Sequence, residues 1–568
     1  MRLRAYLIGC FALWILLFLR LSILQIINGG EFKKIAERQQ KTEIEIPAER
    51  GRIFDRNLEP LAVSFECQSC YAHPHLVADP KLTATKLSRA GLGPEGELVR
   101  KLRSRSGFVW LKRTVPPEVC RTIEKLSLPG VYLSSDMTRA YPKSIAGNVL
   151  GFCGGEMKGL EGIEYAFEGI LRGSDGRVVV QRDATGRTCP LPEYPREDPQ
   201  SGSDIVLTID SDLQSIAEEE LAQGVDRFNA RGATCLIIDP TSGEILAMAN
   251  HPSYNPNRRG SGKPQEWRNR VVTDLFEPGS TLKIVTLASS LDENVFNLDD
   301  TIDLDSGRIV VQGVCIEDVE KYDMLTVGQI LVHSSNVGAV KIAQDVGKKK
   351  LYEYLRAFGF GNPIGVDLPG EANGILAKPD DWSRIRLANI AIGQGISVST
   401  LQLAFAFGAV ANRGVLMKPT IVKRVMDFNG NTIREFTPTP VRNVISEKTA
   451  LQLVQTLDKA VEGGTGRKAK YPGLSIAGKT GTAQKLDEDG KYSRSKFIAS
   501  FCGFFPAHAP RILITVVVDE PHGLYYYGGD VACSIFKEIT TKIVNLMDYR
   551  YLSYGNGTDA EETLADRF

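Results

Sequence analysis

The feature that most constrains this chain is a nearly unbroken apolar run from Ala5 to Ile27. About 20 helical residues cross the hydrocarbon core of a bilayer, so the run is long enough to span as one helix. Arg2 and Arg4 precede it, and no small-x-small cleavage site follows; the chain continues Asn28-Gly29-Gly30-Glu31-Phe32-Lys33-Lys34. An uncleaved signal anchor is expected, not a removed signal peptide. Arg2 and Arg4 favour a cytoplasmic N-terminus, whereas Lys33, Lys34 and Arg38 oppose it. Arg20 lies about 24 Å along the helix from Arg4. Its head then reaches water at the far interface by snorkelling, or it meets a second membrane protein.

The remainder of the 568 residues is enough for two or three domains. Lys+Arg and Asp+Glu both total 68, so the basic excess of a nucleic-acid binder is absent. Ten cysteines are scattered without a disulfide framework. The run Cys67-x-x-Cys70-x-x-His73-x-His75 has metal-ligand residue types. However, Ala62 to Tyr71 reads as a strand, where residues three apart point to opposite faces, and Pro74 splits the histidines. No metal is expected there.

A charged, helix-prone stretch runs from Glu31 to Thr42. Short strand-like and helical pieces then alternate to about residue 200. Pro190 to Asp204 has the composition of a linker and marks a domain boundary. Beyond it, Asp210 or Ser211 caps a helix reaching about Arg227. Ala233–Asp239 and Glu244–Ala249 form a hairpin around Pro240-Thr241-Ser242-Gly243. Helices are expected after Ser280, over Thr400 to Ala411 and over Ser446 to Val461. Strands follow over Ser475 to Gln484, Phe497 to Phe505 and Arg511 to Val518. This order implies an α+β fold with an antiparallel sheet flanked by helices. The acid-rich end from Asp548 to Phe568 reads as a mobile tail.

Three motifs in the second half carry chemistry. In Glu277-Pro278-Gly279-Ser280-Thr281-Leu282-Lys283, Pro278 and Gly279 supply a turn and an apolar helix follows. Ser280 then sits at a helix N-terminus, which favours developing negative charge. Lys283, three residues on, shares its face. A hydroxyl needs a base to become a nucleophile, and a lysine serves if burial or a cation lowers its pKa. Ser334-Ser335-Asn336 places a hydroxyl and an amide two residues apart on a turn. Ser334 could relay a proton, and Asn336 could hold a substrate amide and Lys283. Lys479-Thr480-Gly481-Thr482 lies on a strand. Lys479 gives a fixed cation, Thr480 and Thr482 give hydroxyls for a carboxylate, and Gly481 admits a ligand close to the backbone. The N–H groups of Ser280 and Thr482 could form an oxyanion hole.

The same trio, with Ser-Asp-Asn in the middle, marks penicillin-binding proteins and serine β-lactamases. The chain resembles a class B penicillin-binding protein over nearly its whole length. The resemblance extends to Arg50-Gly51-Arg52-Ile53-Phe54-Asp55-Arg56-Asn57, Gly159-Leu160-Glu161-Gly162-Ile163-Glu164, Ile392-Gly393-Gln394-Gly395 and Gly463-Gly464-Thr465-Gly466. The context Phe276 to Thr281 is most similar to the cell-division branch, with elongation and sporulation roles as alternatives.

This resemblance implies residues 1–4 in the cytoplasm, 5–27 in the membrane and an exported body. It further implies a non-catalytic pedestal over 28–200, a transpeptidase domain over 201–547 with a five-stranded sheet, and the tail over 548–568. The activity implied is cross-linking of D-Ala-D-Ala stem peptides through a Ser280 acyl-enzyme, without metal or organic cofactor. Stem peptides and β-lactams are the implied ligands. A membrane glycan polymerase of the SEDS type and other division proteins are the implied partners, and the division septum the implied place. No Glu-x-x-Leu-Asn follows Asn336, so an acyl-enzyme should hydrolyse slowly. Hydrolysis to a carboxypeptidase product, and a scaffolding role for the polymerase, are the competing readings.

Overall fold

The computed structural model describes residues 2–28, 30, 41–182, 188–190, 196–258, 263–487, 489–523 and 526–554. By compactness the chain forms two units. One comprises Met1–Arg50 and Arg172–Gly202, the other Gly51–Leu171 and Ser203–Phe568. In the first, helix α1 covers Arg2–Ser22 and runs on as a π turn to Ile27. Tyr6–Ile26 is the one segment among the described residues long and apolar enough to cross a membrane. Strand Gly176–Arg182 pairs antiparallel with Lys41–Ile46 on one side and Thr188–Pro190 on the other. Most of the expected helix over Glu31 to Thr42 lies outside the described residues, and Lys41 and Thr42 open a strand instead.

The second unit begins with β1 (Ile53–Phe54), β2 (Pro60–Ala72), β3 (Val109–Val115) and β4 (Val131–Ala140). β2 pairs with both β3 and β4, and three helices (Pro80–Arg89, Glu95–Leu102, Pro117–Leu126) follow the chain between these strands. Leu87, Leu98, Leu111 and Ile123 fill the core shared by these strands and helices. Cys70 is buried in that core, while Cys67 lies 4.0 Å from the Thr114 hydroxyl and His73 Nδ1 lies 2.6 Å from Gly107 O.

β1 also pairs in parallel with β5 (Asp204–Leu207), joining the first and second halves of the sequence in one sheet of seven strands. The Arg50–Asn57 segment is the seam. Arg52 binds buried Asp204 through Nη2 at 2.6 Å and Nε at 3.0 Å. Asp55 accepts the Asn57 and Glu59 N–H groups, each at 2.8 Å, and the Ser211 hydroxyl. Arg56 reaches Glu244 at 3.1 Å.

Helix α2 (Ser211–Arg227) starts at Asp210, whose carboxylate accepts the Asp212 and Leu213 N–H groups. A side chain placed so satisfies donors that the helix leaves open, typically contributing about 1 kcal/mol. The hairpin strands are β6 (Gly232–Ile238) and β7 (Ile245–His251). Helix α3 (Lys283–Asp292) follows Ser280, and α4 (Val327–His333) and α5 (Asn336–Val346) flank Ser334 and Ser335. Every residue of helix α6 (Thr400–Ala411) is buried, as its lack of a polar face dictates. Helix α7 (Glu447–Glu462) is capped by Ser446. Strands β8 (Ala477–Leu486), β9 (Tyr492–Phe505) and β10 (Ile512–Asp519) follow.

The expected five-stranded antiparallel sheet is present in the order β7-β6-β10-β9-β8. The early hairpin thus lies beside the last strand, which leaves β8 at the edge. The β-branched run of β10 is central, and six of its first seven residues are apolar and buried, as a strand covered on both faces requires. Helix α8 (Ala532–Tyr554) closes the described chain and packs with α2 over one face, through Leu221 and Val225 on α2 and Ile535 and Phe536 on α8. The sequence reading had no element there. This helix also continues past Asp548, where the tail was expected, and the rest of that tail lies outside the described residues.

Candidate active site

The Pro278–Gly279 turn runs into a short 3-10 turn, Gly279–Leu282, and then into α3. Gly279 has φ +54°, and a Cβ on it would lie 2.8 Å from Thr482 O on β8. Glycine is therefore required twice over, for its backbone angle and for its contact. Ser280 is half-buried, and among the described residues its hydroxyl has no hydrogen-bond partner. The Lys283 ammonium turns instead to the second motif. Its Nζ lies 2.6 Å from Ser334 O, 2.7 Å from Asn336 Oδ1 and 3.3 Å from Ser334 Oγ.

Ser334 ends α4 in the left-handed region, at φ +60°. A non-glycine residue held there carries strain that surrounding contacts must maintain. Asp318 supplies them. Its buried carboxylate accepts the Ser335 hydroxyl at 2.7 Å, the Val337 N–H at 3.0 Å and the Asn336 N–H. Asn336 Nδ2 donates to Glu317 O at 2.9 Å, which leaves Oδ1 directed at Lys283. Asp318 was missed in the sequence, where it is one carboxylate among many, and no spacing ties it to Ser335.

The edge strand β8 packs beside the Pro278–Gly279 turn. Lys479 is fully buried, and its Nζ lies 3.2 Å from Thr480 O and 3.4 Å from the hydroxyls of Thr465 and Thr480. The Thr480 hydroxyl donates to Thr465 at 2.9 Å, so it is turned inward. Thr482 Oγ1 accepts the Gly528 N–H at 3.0 Å, which leaves its own proton to give. A Cβ on Gly481 would lie 2.7 Å from Pro278 O, so the strand and the Pro278–Gly279 turn meet at backbone distance. Thr465, in the Gly463–Gly466 motif, is thereby assigned a contact that the motif alone did not reveal.

Burial holds the Lys283 ammonium well below its ordinary pKa, and the charge of Lys479 adds to this while Asp318 opposes it. Burial likewise lowers Lys479 to about 7. Taking an ammonium out of water favours its neutral form, and a second cation does the same. The structure thus brings Lys283, Ser334 and Asn336 into one hydrogen-bonded cluster. It packs the turn that carries Ser280 directly against the strand that carries Lys479–Thr482.

A half-buried serine one turn before a buried lysine of lowered pKa, next to an edge strand, supplies the groups that nucleophilic acyl transfer needs. Residues 233–541 match the penicillin binding protein transpeptidase domain, and residues 45–207 match the penicillin-binding protein dimerisation domain. The chain belongs to the class B penicillin-binding protein family. It is 33% identical to the peptidoglycan D,D-transpeptidase FtsI of Escherichia coli, covering 96% of this chain and 92% of that one. Stage V sporulation protein D of Bacillus subtilis is 34% identical, over 92% and 82% of the two chains. The crystal structure of penicillin binding protein 3 from Mycobacterium tuberculosis, complexed with aztreonam, is similar with a TM-score of 0.70 at 28% identity. That match covers 89% of this chain and 97% of the other.

Proposed function

We propose that this peptidoglycan D,D-transpeptidase works through an acyl-enzyme on Ser280. Neutral Lys283 takes the Ser280 proton as the oxygen attacks the carbonyl of the penultimate D-alanine of a stem peptide. The N–H groups of Ser280 and Thr482 receive the charge that develops on the carbonyl oxygen. Ser334 passes its proton to the departing amine and takes the one held by Lys283 in exchange, and D-alanine leaves with Lys283 neutral again. Asn336 holds Lys283 and the substrate amide. Lys479 and Thr482 hold the substrate carboxylate, Thr480 supports Lys479 through its hydroxyl and through Thr465, and Gly481 lets the substrate backbone lie along the strand. An amine of a second stem peptide then attacks the ester, forming the cross-link and freeing Ser280. The observation that carries this reading is the grip of Ser334 and Asn336 on a buried Lys283.

The domain reading goes with it: residues 1–4 in the cytoplasm, 5–27 as the anchor, 28–200 as the pedestal, 201–547 as the transpeptidase and 548–568 as a terminal segment whose first residues continue helix α8 to Tyr554. The catalytic body is exported and acts at the septum beside a SEDS-type glycan polymerase and other division proteins. The Phe276–Thr281 context favours the septal role.

The test is labelling of the full-length chain in detergent with a fluorescent penicillin. A stable adduct that is lost in Ser280→Ala and mapped to Ser280 by mass spectrometry is the expected result. An adduct on another residue removes Ser280 as the nucleophile. Depletion in cells should give filaments, the phenotype of a septal enzyme. Swollen round cells would move it to elongation.

A further inference from the structure

Glu277 stands just before the Pro278–Gly279–Ser280 turn and is half-buried. Its Oε1 accepts the Gly395 backbone N–H at 2.8 Å and the Tyr492 hydroxyl at 3.2 Å. The two donors come from distant parts of the chain. Gly395 lies in the loop after helix Arg384–Ala391, where the Gly393 carbonyl accepts the Gly279 N–H at 3.0 Å. A Cβ on Gly393 would lie 2.0 Å from Gly279 O, so this loop is seated directly under the nucleophile turn. Tyr492 opens β9 and pairs with Leu486 at the end of β8, the strand carrying Lys479–Thr482.

Glu277 also lines a cavity of about 370 Å³ with Phe276, Arg270 and Gln484. Arg270 is engaged with Asp274 at 3.6 Å, and Glu277 Oε2 has no hydrogen-bond partner among the described residues. The carboxyl therefore sits without an ion pair, held by two hydrogen bonds on one oxygen. Hydrogen bonds that tie separate elements together fix how those elements sit against one another.

We propose that Glu277 is a positioning residue of the acyl transfer. Through Gly395 it seats the nucleophile turn, and through Tyr492 it fixes that turn against the strand of Lys479–Thr482. Glu277 touches neither substrate nor Ser280 in this role. The proposal rests on Ser280 being the nucleophile.

The test is stopped-flow acylation of the full-length chain in detergent by a fluorescent penicillin, with the binding constant and the saturating acylation rate measured separately. A misplaced reacting group lowers the second and spares the first. Glu277→Ala should lose roughly tenfold to a hundredfold in saturating rate with little change in binding. Glu277→Gln keeps an acceptor oxygen for both donors and should restore most of that loss. Tyr492→Phe should fall between them. Unfolding temperatures measured alongside separate a mispositioned site from a lost fold. A wild-type saturating rate in Glu277→Ala, a Gln variant as slow as the Ala variant, or a loss that only tracks unfolded protein overturns the proposal. If Glu277→Ala does not fold, Tyr492→Phe decides alone, and an unchanged saturating rate there is fatal. Ser280→Ala is the separate control: an adduct surviving in it sinks the nucleophile assignment itself.

Discussion

Lys283 Nζ lies 2.7 Å from Asn336 Oδ1, 53 residues further along the chain, inside a site where the lysine is fully buried. The amide oxygen accepts from the lysine nitrogen, while burial and Lys479 lower its basicity and Asp318 raises it. Everything expected of the lysine as a base depends on this arrangement.

The rate of acylation should therefore fall on the acid side as Lys283 takes up a proton. Its ordinary pKa is near 10.5, and burial brings it well below that, so the active neutral form persists to lower pH than a free lysine allows. The Asp318 carboxylate favours the charged form. Asp318→Asn removes that charge, keeps an acceptor oxygen for the Asn336 and Val337 N–H groups and offers its NH2 to the Ser335 oxygen. Its acid limb should shift to lower pH than wild type, read from a pH–rate profile with a fluorescent penicillin. An acid limb that does not move would show that Asp318 acts only by holding the turn.

Lys479 should trade stability for function. Its pKa is about 7 in the folded chain against 10.5 as the reference. Between those values the unfolded chain holds a proton that the folded chain gives up, so stability at this site rises with pH across that window and the penalty is complete below it. Lys479→Met should raise the urea midpoint at pH 7, with an advantage that shrinks towards pH 10, while acylation is lost. An advantage that does not change with pH would assign the gain to packing instead.

Gly393→Ala should damage the site without unfolding the protein. The added methyl would meet Gly279 O at 2.0 Å, which neither backbone can relieve without moving the nucleophile turn. A displacement of about 1 Å costs on the order of a hundredfold in rate. Saturating acylation with unchanged circular dichroism is the measurement. Full activity would mean that the loop relaxes away from the turn.

Glu164→Ala should act on stability alone. In the Gly159–Glu164 motif this residue binds Arg139 at 2.7 Å with both side chains fully withdrawn from water, and the Tyr141 hydroxyl lies 3.3 Å away. Removing one partner of a buried pair leaves an uncompensated charge and costs about 3–5 kcal/mol. Urea unfolding should show that loss, and the folded fraction should still acylate at the wild-type rate. Slower acylation of folded protein would tie the motif to the cleft.

The sequence by itself determined the elements whose causes are local. The apolar length of Ala5–Ile27 gives the anchor helix, Asp210 starts α2, and the turn formers between Asp239 and Glu244 give the β6–β7 hairpin. The Ser-x-x-Lys spacing put Ser280 and Lys283 on one helical turn, and the strand run put Lys479–Thr482 on β8. All of these follow from backbone propensity and side-chain spacing within one segment. What joins segments was decided only by tertiary structure. It set the early hairpin beside β10 and brought in Asp318, Thr465, Glu277 and Tyr492. The physical reason is that a hydrogen bond between distant segments leaves no periodicity in either. Burial, which sets the pKa of both lysines, belongs to the packed molecule and to no segment of it.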